Sequence, residues 1–478
     1  MTRRDFVGSL IAAPLVAAAT AQGGRRHMNF VFFLLDDLGW TDLGCTGSSF
    51  YETPGIDRLA AEGMLFTDAY AACPVCSPTR AALLTGKYPA RLKLTDYLVG
   101  TRSGKMLPAE YIDHLPLEEF TLAEALRQAG YATGFVGKWH LGGPPYYPEH
   151  QGFDSNVGGC ELGHPPSYFY PYSSDGTRVP IEGGTEGEYL TDRLTDEALK
   201  FLDRSTGRPF FLHFCHYAVH NPQQAKAEDI AHYEPKVAAL GLTDERRYAE
   251  WRGRRVRQVQ DSPVYAAMIR SVDQSVRRVL AKLDQLGVAD DTTVIFTSDN
   301  GGLSTSEGTP TSNLPLRAGK GWLFEGGTRV PLIVRGPGVA AGTTSAAPVT
   351  STDFYPTMLS LAGLPARPTQ HVDGQDLSSV ILGRGMPLER PLFWHYPHYS
   401  NQGSPPCGSV RVGEWKLIEW YEDGSVELYD VVEDITESNE LSSRHPGKAA
   451  ELRDMLRDWR ASVGAEMPRP KPEGSDPQ

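Results

Sequence analysis

The sequence predicts an α/β fold: a large, mainly parallel or mixed sheet flanked by helices, followed by a smaller antiparallel sheet. Two nearly continuous apolar runs, 29–35 and 293–298, each end in acidic or amide residues. That pattern is typical of a central strand buried on both faces. Helical stretches separate the runs, and strands alternating with helices form mainly parallel sheets. The 478 residues exceed the usual limit of one core, so residues 28–385 and 386–478 are predicted to form a large and a small domain.

The remaining elements follow from the same periodicities. Further strands of the large domain are predicted at 209–214 and 330–334, and helices at 54–63, 121–130, 190–204 and 265–287. In the last helix, apolar residues recur at helical spacing from Ala267 to Leu283. The small domain is predicted to contain short strands at 392–396, 409–412, 415–420 and 427–430 and a helix at 447–463. The tail from Glu466 is rich in proline and charge, and we expect it to be loose.

Residues 1–21 have the form of an export signal. Paired arginines and Phe6 precede an apolar stretch at 7–19, and small residues at 19–21 offer a cleavage site. The apolar stretch is too short to span a bilayer. The paired arginines resemble a twin-arginine signal, and a general secretory signal with incidental arginines is the alternative. We therefore expect a bacterial protein exported to the periplasm or the medium, without stable membrane insertion.

Charge and cysteine content exclude some function classes. The net charge of −13 argues against nucleic acid or an anionic membrane as a partner. It leaves an anionic small substrate possible, because a local cluster of basic side chains decides binding in a pocket. Six scattered cysteines are too few for a disulfide scaffold.

The run Cys76-Ser-Pro-Thr-Arg80 stands at the mouth of a predicted helix. Ser77 suits the N-cap, and Pro78 suits the first helical position, where its missing N–H costs nothing. Free backbone amides and the helix dipole favour an anion beside Cys76, and Arg80 can point to the same place. An ordinary cysteine before a helix is one alternative. A redox or metal pair with Cys73, in a C-x-x-C spacing, is a weaker one because no second cysteine pair follows.

Two pairs of oxygen ligands follow two of the predicted buried strands. Asp36 and Asp37 come after the first strand, and Asp299 and Asn300 after the run at 293–298. Ligands bind at the carboxyl ends of strands in open α/β sheets, so these four side chains are expected to meet. Oxygen donors without cysteine or histidine suit Ca²⁺ or Mg²⁺ and not zinc. Each pair alone is common in loops; together they predict a metal site.

Basic side chains occur at three further places. Lys138 and His140 are two residues apart, which puts both on one face of an extended segment. His220 lies in a His-Asn-Pro sequence, and Lys320 lies in a glycine-rich segment at 317–327. Two other histidines near the predicted strand at 209–214, His213 and His216, are assigned to ordinary packing.

These motifs together resemble type I sulfatases, which belong to the alkaline phosphatase superfamily, over about residues 28–465. The run at 76–80 is the signature in which the cysteine is oxidised to formylglycine, an aldehyde. Thr79 stands where that motif often has serine, and it keeps a small hydroxyl. The resemblance implies a large α/β domain with a smaller C-terminal sheet domain, and a formylglycine-generating maturation enzyme as a partner.

The resemblance also implies a role for each candidate residue. Cys76 becomes formylglycine, whose hydrate supplies the nucleophile. One Ca²⁺ is held by residue 76 with Asp36, Asp37, Asp299 and Asn300. Arg80 and Lys138 hold the hydrate and sulfate. His140 acts as the base on the hydrate, and His220 and Lys320 lie near the leaving oxygen, with His220 as the acid.

The expected function is that of a sulfuric ester hydrolase acting on a sulfated carbohydrate, with a galactose or N-acetylgalactosamine sulfate in a glycan as the expected substrate. The loop at 163–172, rich in proline and tyrosine, resembles exported bacterial sulfatases, and its tyrosines and histidine suit stacking on sugar faces. Simple packing of that loop is the alternative. A phosphonate monoester or phosphodiester hydrolase with the same metal site, and a non-catalytic glycan-binding descendant, are the alternative functions.

Overall fold

A computed structural model of the chain describes residues 28–100, 102–385 and 389–471, so the predicted export signal at 1–21 lies outside the described residues. At its centre is an eight-stranded mixed sheet with the order β8-β2-β7-β6-β1-β5-β3-β4. Its strands in chain order are β1 (Asn29–Leu35), β2 (Met64–Phe66), β3 (Ala132–Gly137), β4 (Ser155–Val157), β5 (Phe210–Cys215), β6 (Thr292–Ser298), β7 (Leu332–Arg335) and β8 (Thr343–Ser345).

The middle of the sheet is parallel. Strands β6, β1, β5, β3 and β4 run in one direction, whereas β7 is antiparallel to both β6 and β2. All seven residues of β1 are buried, and Phe33 is in register with Phe296 on one side and Phe214 on the other. The predicted mixed sheet with central strands buried on both faces is confirmed. The carboxyl ends of β6, β1, β5 and β3 lie side by side at one edge of the sheet.

Helices cover both faces of the sheet. The α-helices of the described residues, including those outside this sheet, are α1 (Pro54–Ala61), α2 (Cys76–Thr85), α3 (Pro89–Leu92), α4 (Leu122–Gln128), α5 (Leu190–Arg204), α6 (Ala227–Leu240), α7 (Asp244–Arg247), α8 (Pro263–Gln285), α9 (Glu325–Thr328), α10 (Phe354–Leu361), α11 (Ser378–Ile381) and α12 (Pro446–Val463). Alternate side chains of β1 point to opposite faces, as strand geometry requires. Val31 and Phe33 pack with α5 and α8, and Phe30 and Phe32 pack with α2, α4 and α10. Among the described helices, none has the length and apolar composition to cross a bilayer.

Helix boundaries differ from the predictions where caps decide them. Helix α8 begins two residues earlier than predicted, at Pro263, because Ser262 Oγ accepts a hydrogen bond from the backbone N–H of Tyr265. Helix α4 begins after Thr121, which forms a capping box with Glu124. Several elements were not predicted, among them strand β3, helices α6 and α10, and the hairpin of Tyr248–Trp251 with Arg254–Arg257.

The C-terminal part contains a four-stranded antiparallel sheet of β9 (Leu392–Tyr396), β10 (Cys407–Val412), β11 (Trp415–Trp420) and β12 (Val426–Asp430), packed by α12. This confirms the predicted small antiparallel sheet with a terminal helix. The tail expected to be loose is instead held as far as Pro470: His395 Nε2 is 2.8 Å from the carbonyl oxygen of Glu466, and Arg469–Pro470 pairs with Met106–Leu107. Residues 472–478 lie outside the described residues.

A buried ion cluster joins the small sheet to the large domain. Lys416 on β11 is fully buried, and its Nζ lies 2.8 Å from Glu325 Oε1 and 3.0 Å from Glu437 Oε1. Burial alone would raise the pKa of Glu325, but Lys416 lowers it to about 2. Glu325 begins α9, directly after the segment that carries Lys320. The cluster therefore holds that segment against the small sheet.

Replacing Lys416 with methionine is expected to lower the free energy of unfolding by about 3–5 kcal/mol, because buried Glu437 loses its cation and Glu325 keeps only its pair with Arg329. Denaturant unfolding followed by fluorescence measures this. Lys448, whose ion pair with Glu451 is partly exposed, is the control. Its change to methionine should cost about 1 kcal/mol or less. A similar small loss at both positions would contradict the role given to the cluster.

Candidate active site

The candidate site lies at the carboxyl edge of four neighbouring parallel strands. Asp36 and Asp37 follow β1, and Asp299 and Asn300 follow β6. The basic residues Lys138 and His140 follow β3, and His220 lies in the turn after β5. All ten predicted site residues are buried and lie at this edge or against it: Asp36, Asp37, Cys76, Arg80, Lys138, His140, His220, Asp299, Asn300 and Lys320.

Helix α2 begins at Cys76 itself, so the prediction of Ser77 as its N-cap is wrong. Val75 takes the cap position in an extended conformation, without a side-chain cap. Ser77 Oγ instead accepts a hydrogen bond from the backbone N–H of Leu98. The hydroxyl of Thr79 secures the turn, because it lies 3.0 Å from the carbonyl oxygen of Cys73 and 3.2 Å from that of Val75. This accounts for a small hydroxyl residue at position 79.

The thiol of Cys76 opens into a cavity of about 610 Å³. Cys76 is only 2% exposed, so it is more buried than its position at a helix N-terminus would suggest. Its Sγ lies 3.3 Å from His140 Nδ1, and both residues line the cavity. Gly163 makes room for the imidazole, because a Cβ there would lie 2.6 Å from His140 Cε1. All six cysteines are free thiols, and Cys73 Sγ faces the carbonyl oxygen of Thr95.

Three basic side chains neutralise three carboxylates behind the thiol. Arg80 Nε donates to Asp299 Oδ2 at 2.9 Å, and Nη1 donates to the carbonyl oxygen of Lys138 at 2.8 Å. Lys138 Nζ donates to Asp36 Oδ2 at 2.7 Å. Lys320 Nζ donates to Asp37 Oδ2 at 2.9 Å and also lies 2.9 Å from His220 Nε2. These ion pairs hold the positive groups of Arg80, Lys138 and Lys320 in place beside the carboxylates behind the thiol.

Burial shifts the acid–base properties of these groups. It raises the pKa of Asp36 above its usual value, and Lys138 opposes this effect. Burial would also raise the pKa of Asp37, but Lys320 and His220 hold it well below its usual value. Burial, Lys138 and Arg80 lower the pKa of His140 well below its ordinary value. The imidazole beside Cys76 is therefore neutral at pH 7 and able to accept a proton.

Several oxygens of the site fit a bound cation. Asp36 Oδ1 and Asn300 Oδ1 are buried and have no hydrogen-bond partner among the described residues. The amide nitrogen of Asn300 donates to Asp37 Oδ1 at 2.8 Å, which turns its own oxygen away. Donor atoms of Asp36, Asp37 and His220 lie within 4.8 Å of one another. Oxygen-rich sites of this kind suit Ca²⁺ or Mg²⁺.

The two other histidines after β5 pack in the interior, as predicted. His213 lies against the rings of Phe32, Phe135 and Phe153. His216 stacks on Phe214 at 3.9 Å, and its Nε2 lies 2.9 Å from Ser275 Oγ. Neither lines the cavity that contains Cys76.

Loops supply cavity residues that no motif indicated. Asp113, Glu161, Glu307 and Asn401 line the cavity together with Cys76, and so does His164, the histidine already noted in the loop at 163–172. The ring of His164 stacks parallel to that of His220, at 5.7 Å. In contrast, the tyrosines Tyr168 and Tyr172 of the same loop are fully buried, so their predicted stacking on sugar is wrong. Asp113, Glu161, Glu307 and Asn401 come from separate parts of the chain, without a spacing that could have identified them.

Comparison with known proteins identifies the family. A family model described as Sulfatase matches residues 28–364. The chain belongs to the sulfatase family. A second model, described as N-sulphoglucosamine sulphohydrolase, C-terminal, matches residues 318–461. The chain is therefore a sulfuric ester hydrolase.

Relatives and solved structures agree with this assignment. The N-acetylgalactosamine-6-sulfatase of Mus musculus is 36% identical over 422 residues, which cover 84% of this chain and 73% of that protein. A sulfatase of Formosa agariphila is 32% identical and covers 95% of this chain and 92% of its own. The crystal structure of Ps i-CgsB superposes with a TM-score of 0.75 at 29% identity, covering 91% of this chain and 93% of that one.

Proposed function

We propose that the enzyme removes sulfate from a sulfated carbohydrate, with an aldehyde formed from Cys76 as the source of the nucleophile and one Ca²⁺ at the adjacent carboxylates. The observation that carries this proposal is the position of the Cys76 thiol. It opens into the same cavity as His140, His220 and Lys320, within 3.3 Å of His140 Nδ1. A cysteine with a purely structural role would not require the neutral imidazole of His140 and the ammonium group of Lys320 in the same cavity.

The metal and the modified residue would each supply one part of the chemistry. Asp36, Asp37, Asp299 and Asn300 would hold Ca²⁺, which when bound offsets the charge that builds on the sulfate oxygens. Formylglycine at residue 76 would supply, as its hydrate, the hydroxyl oxygen that attacks sulfur. The unpartnered oxygens of Asp36 and Asn300 support the metal, and the C-S-P-T-R signature supports the aldehyde.

The residues around the thiol have separate tasks. Lys138 and Arg80, fixed by Asp36 and Asp299, stabilise negative charge at the floor of the cavity. His140, neutral and beside residue 76, accepts the proton of a hydroxyl there. His220 and Lys320 both contact Asp37 and lie near the expected position of the leaving oxygen, which His220 protonates. Burial of all five groups excludes bulk water from the reacting centre.

We infer a galactose or N-acetylgalactosamine sulfate as the substrate. The support is the 36% identity to an N-acetylgalactosamine-6-sulfatase and the likeness to Ps i-CgsB, which was solved in complex with k-i-k-neocarrahexaose. A cavity of about 610 Å³, lined by polar loop residues, is large enough for a sugar. We further propose that the enzyme is exported and that a formylglycine-generating enzyme acts on Cys76.

Rates of hydrolysis on matched aryl esters test the reaction class. The proposal predicts that purified enzyme releases sulfate from a nitrophenyl sulfate much faster than it releases phosphate or phosphonate from the corresponding esters. Screening release from sulfated galactose and N-acetylgalactosamine then tests the substrate. Faster phosphonate or phosphodiester hydrolysis would assign the site to the alternative reaction.

Chelation is expected to remove most of the activity, and Ca²⁺ should restore it better than Zn²⁺, because the proposed ligands are oxygens. Asp299→Ala should weaken metal binding, since it removes one ligand and leaves Arg80 without its partner. Metal content by mass spectrometry and sulfate release measure both effects. Asp196→Ala, at an exposed carboxylate, is the control. Full activity in metal-free enzyme would contradict the proposed metal site.

A further inference from the structure

A second cavity, of about 420 Å³, adjoins the cavity that contains Cys76. The two cavities share Glu307, which lines both. The second cavity lies between the unpredicted hairpin, which supplies Tyr248, Arg254 and Arg255, and the loop after β6, which supplies Thr305 and Ser306. None of these residues has a role in the reaction described above.

Three polar side chains of this second cavity lack partners. Arg254 makes neither an ion pair nor a side-chain hydrogen bond with any residue that the structure describes. Thr305 Oγ1 and Ser306 Oγ are buried and likewise have no hydrogen-bond partner within the described ranges. Buried polar groups in proteins are nearly always hydrogen-bonded, so the two hydroxyls are exceptions. Arg254 is partly exposed, and its guanidinium is free to donate to a ligand that accepts hydrogen bonds.

The cavity carries local positive charge in an acidic protein. Arg255 lies over the ring of Tyr248, at 3.7 Å, and its pair with Asp244 is exposed to solvent on both sides. Such exposed pairs contribute little and are screened by salt. Among the charged residues that line the cavity, two are arginines and one, Glu307, is acidic. That balance favours an anionic ligand.

The position of Arg254 is fixed relative to the catalytic cavity. Its guanidinium lies against the backbone of Gly403, where a Cβ would come within 1.9 Å of Arg254 Nε. Gly403 has a φ of +101°, which favours glycine. The neighbouring Gln402 donates from Nε2 to Glu307 Oε1 at 2.8 Å, and Asn401 contacts the same carboxylate. One short loop thus holds both Arg254 and the carboxylate that separates the two cavities.

We propose that this second cavity is an anion subsite, which binds the sulfate or carboxylate group of a neighbouring sugar while the sulfate ester at the catalytic cavity is hydrolysed. The inference rests on the proposed function. Arg254 and Arg255 present planar donors that match the oxygens of a sulfate or carboxylate, and the hydroxyls of Thr305 and Ser306 complete the set. The subsite selects glycans with a second anionic group over singly charged ones.

Three oligosaccharides with the same terminal sulfated sugar test the subsite. In the first the next sugar is neutral, in the second it is a uronate, and in the third it is sulfated. The wild-type enzyme should have a higher kcat/KM for one or both anionic substrates than for the neutral one. Arg254→Gln should reduce that preference roughly tenfold, through KM, because a charge-assisted hydrogen bond is lost. The anionic substrate whose kcat/KM falls more in Arg254→Gln shows whether sulfate or carboxylate is the natural ligand.

Arg246→Gln is the matched control, because Arg246 has the same charge and lies near the hairpin but outside the cavity. It should leave the preference unchanged. If thermal unfolding shows that Arg254→Gln is misfolded, the same kcat/KM comparison is made with Arg255→Gln and Ser306→Ala. Equal kcat/KM for all three substrates, or equal effects of Arg254→Gln and Arg246→Gln, would overturn the subsite. Failure of the wild-type enzyme to release sulfate from any of the three would instead contradict the proposed function.

Discussion

Cys76→Ala is expected to abolish sulfate release while the protein remains folded. Removing the nucleophile of an enzyme that works through a covalent step costs roughly 10⁵-fold or more in rate. The thiol opens into a cavity and contacts His140, so its loss removes little packing. Steady-state sulfate release measures the activity, and circular dichroism with thermal unfolding measures the fold.

Cys73→Ala is the matched control for this variant. Cys73 is as buried as Cys76 and lies three residues away, but its Sγ faces the carbonyl oxygen of Thr95 and not the cavity. We expect it to keep most of the activity. Loss of activity in Cys73→Ala with retention in Cys76→Ala would mean that the nucleophile is misplaced.

His220→Ala is expected to reduce hydrolysis of a sulfated sugar by about 10²–10⁴-fold, the usual range for general acid catalysis. A sugar alkoxide is a strong base and needs a proton as it leaves, whereas a nitrophenolate hardly does. The loss on an activated aryl sulfate should therefore be clearly smaller. Both side chains line the cavity, with His220 Nε2 2.9 Å from Lys320 Nζ, so they can reach the same leaving oxygen. Burial and Lys320 lower the pKa of His220 well below its usual value, so an imidazolium there would be a strong proton donor.

His140→Ala provides the contrast. His140 contacts residue 76, and its proposed task is to accept a proton there and not to serve the leaving group, so its loss should impair both substrates and leave sulfated enzyme to accumulate. Mass spectrometry of the quenched reaction detects such enzyme. Equal losses of His220→Ala on the sugar and the aryl sulfate would mean that His220 positions the sulfate and does not act as the acid.

The grouping of the candidate site residues could be predicted from sequence because they lie in short motifs at strand ends. Asp36 and Asp37 follow a strand that is almost entirely apolar, and Asp299 follows a second buried strand. Parallel strands bring such ends to one edge, so spacing along the chain translates directly into proximity. The first residue of α2 was predicted less accurately. The hydroxyl of Thr79 donates to carbonyl oxygens of the preceding turn, and Ser77 lies inside the helix and not at its N-cap.

The walls of the cavity could not be predicted. Glu307 and Asn401 meet only because two loops far apart in sequence fold together, and neither belongs to a periodic pattern. The tail from Glu466 also depended on tertiary contacts, since its composition indicated a loose segment and pairing with Met106–Leu107 holds it. Tyr168 was misjudged for the same reason: its hydroxyl donates to the buried carbonyl oxygen of Tyr217 at 2.7 Å.

The most direct test of the account is the chemical state of residue 76 in active enzyme. Trypsin should release residue 76 in the peptide 59–80, which contains no internal lysine or arginine. Mass spectrometry of protein from its native host is expected to show an aldehyde (CHO in place of CH₂SH) at residue 76, with an unmodified thiol at Cys73. Fully active enzyme that carries only a thiol at residue 76 would contradict the account.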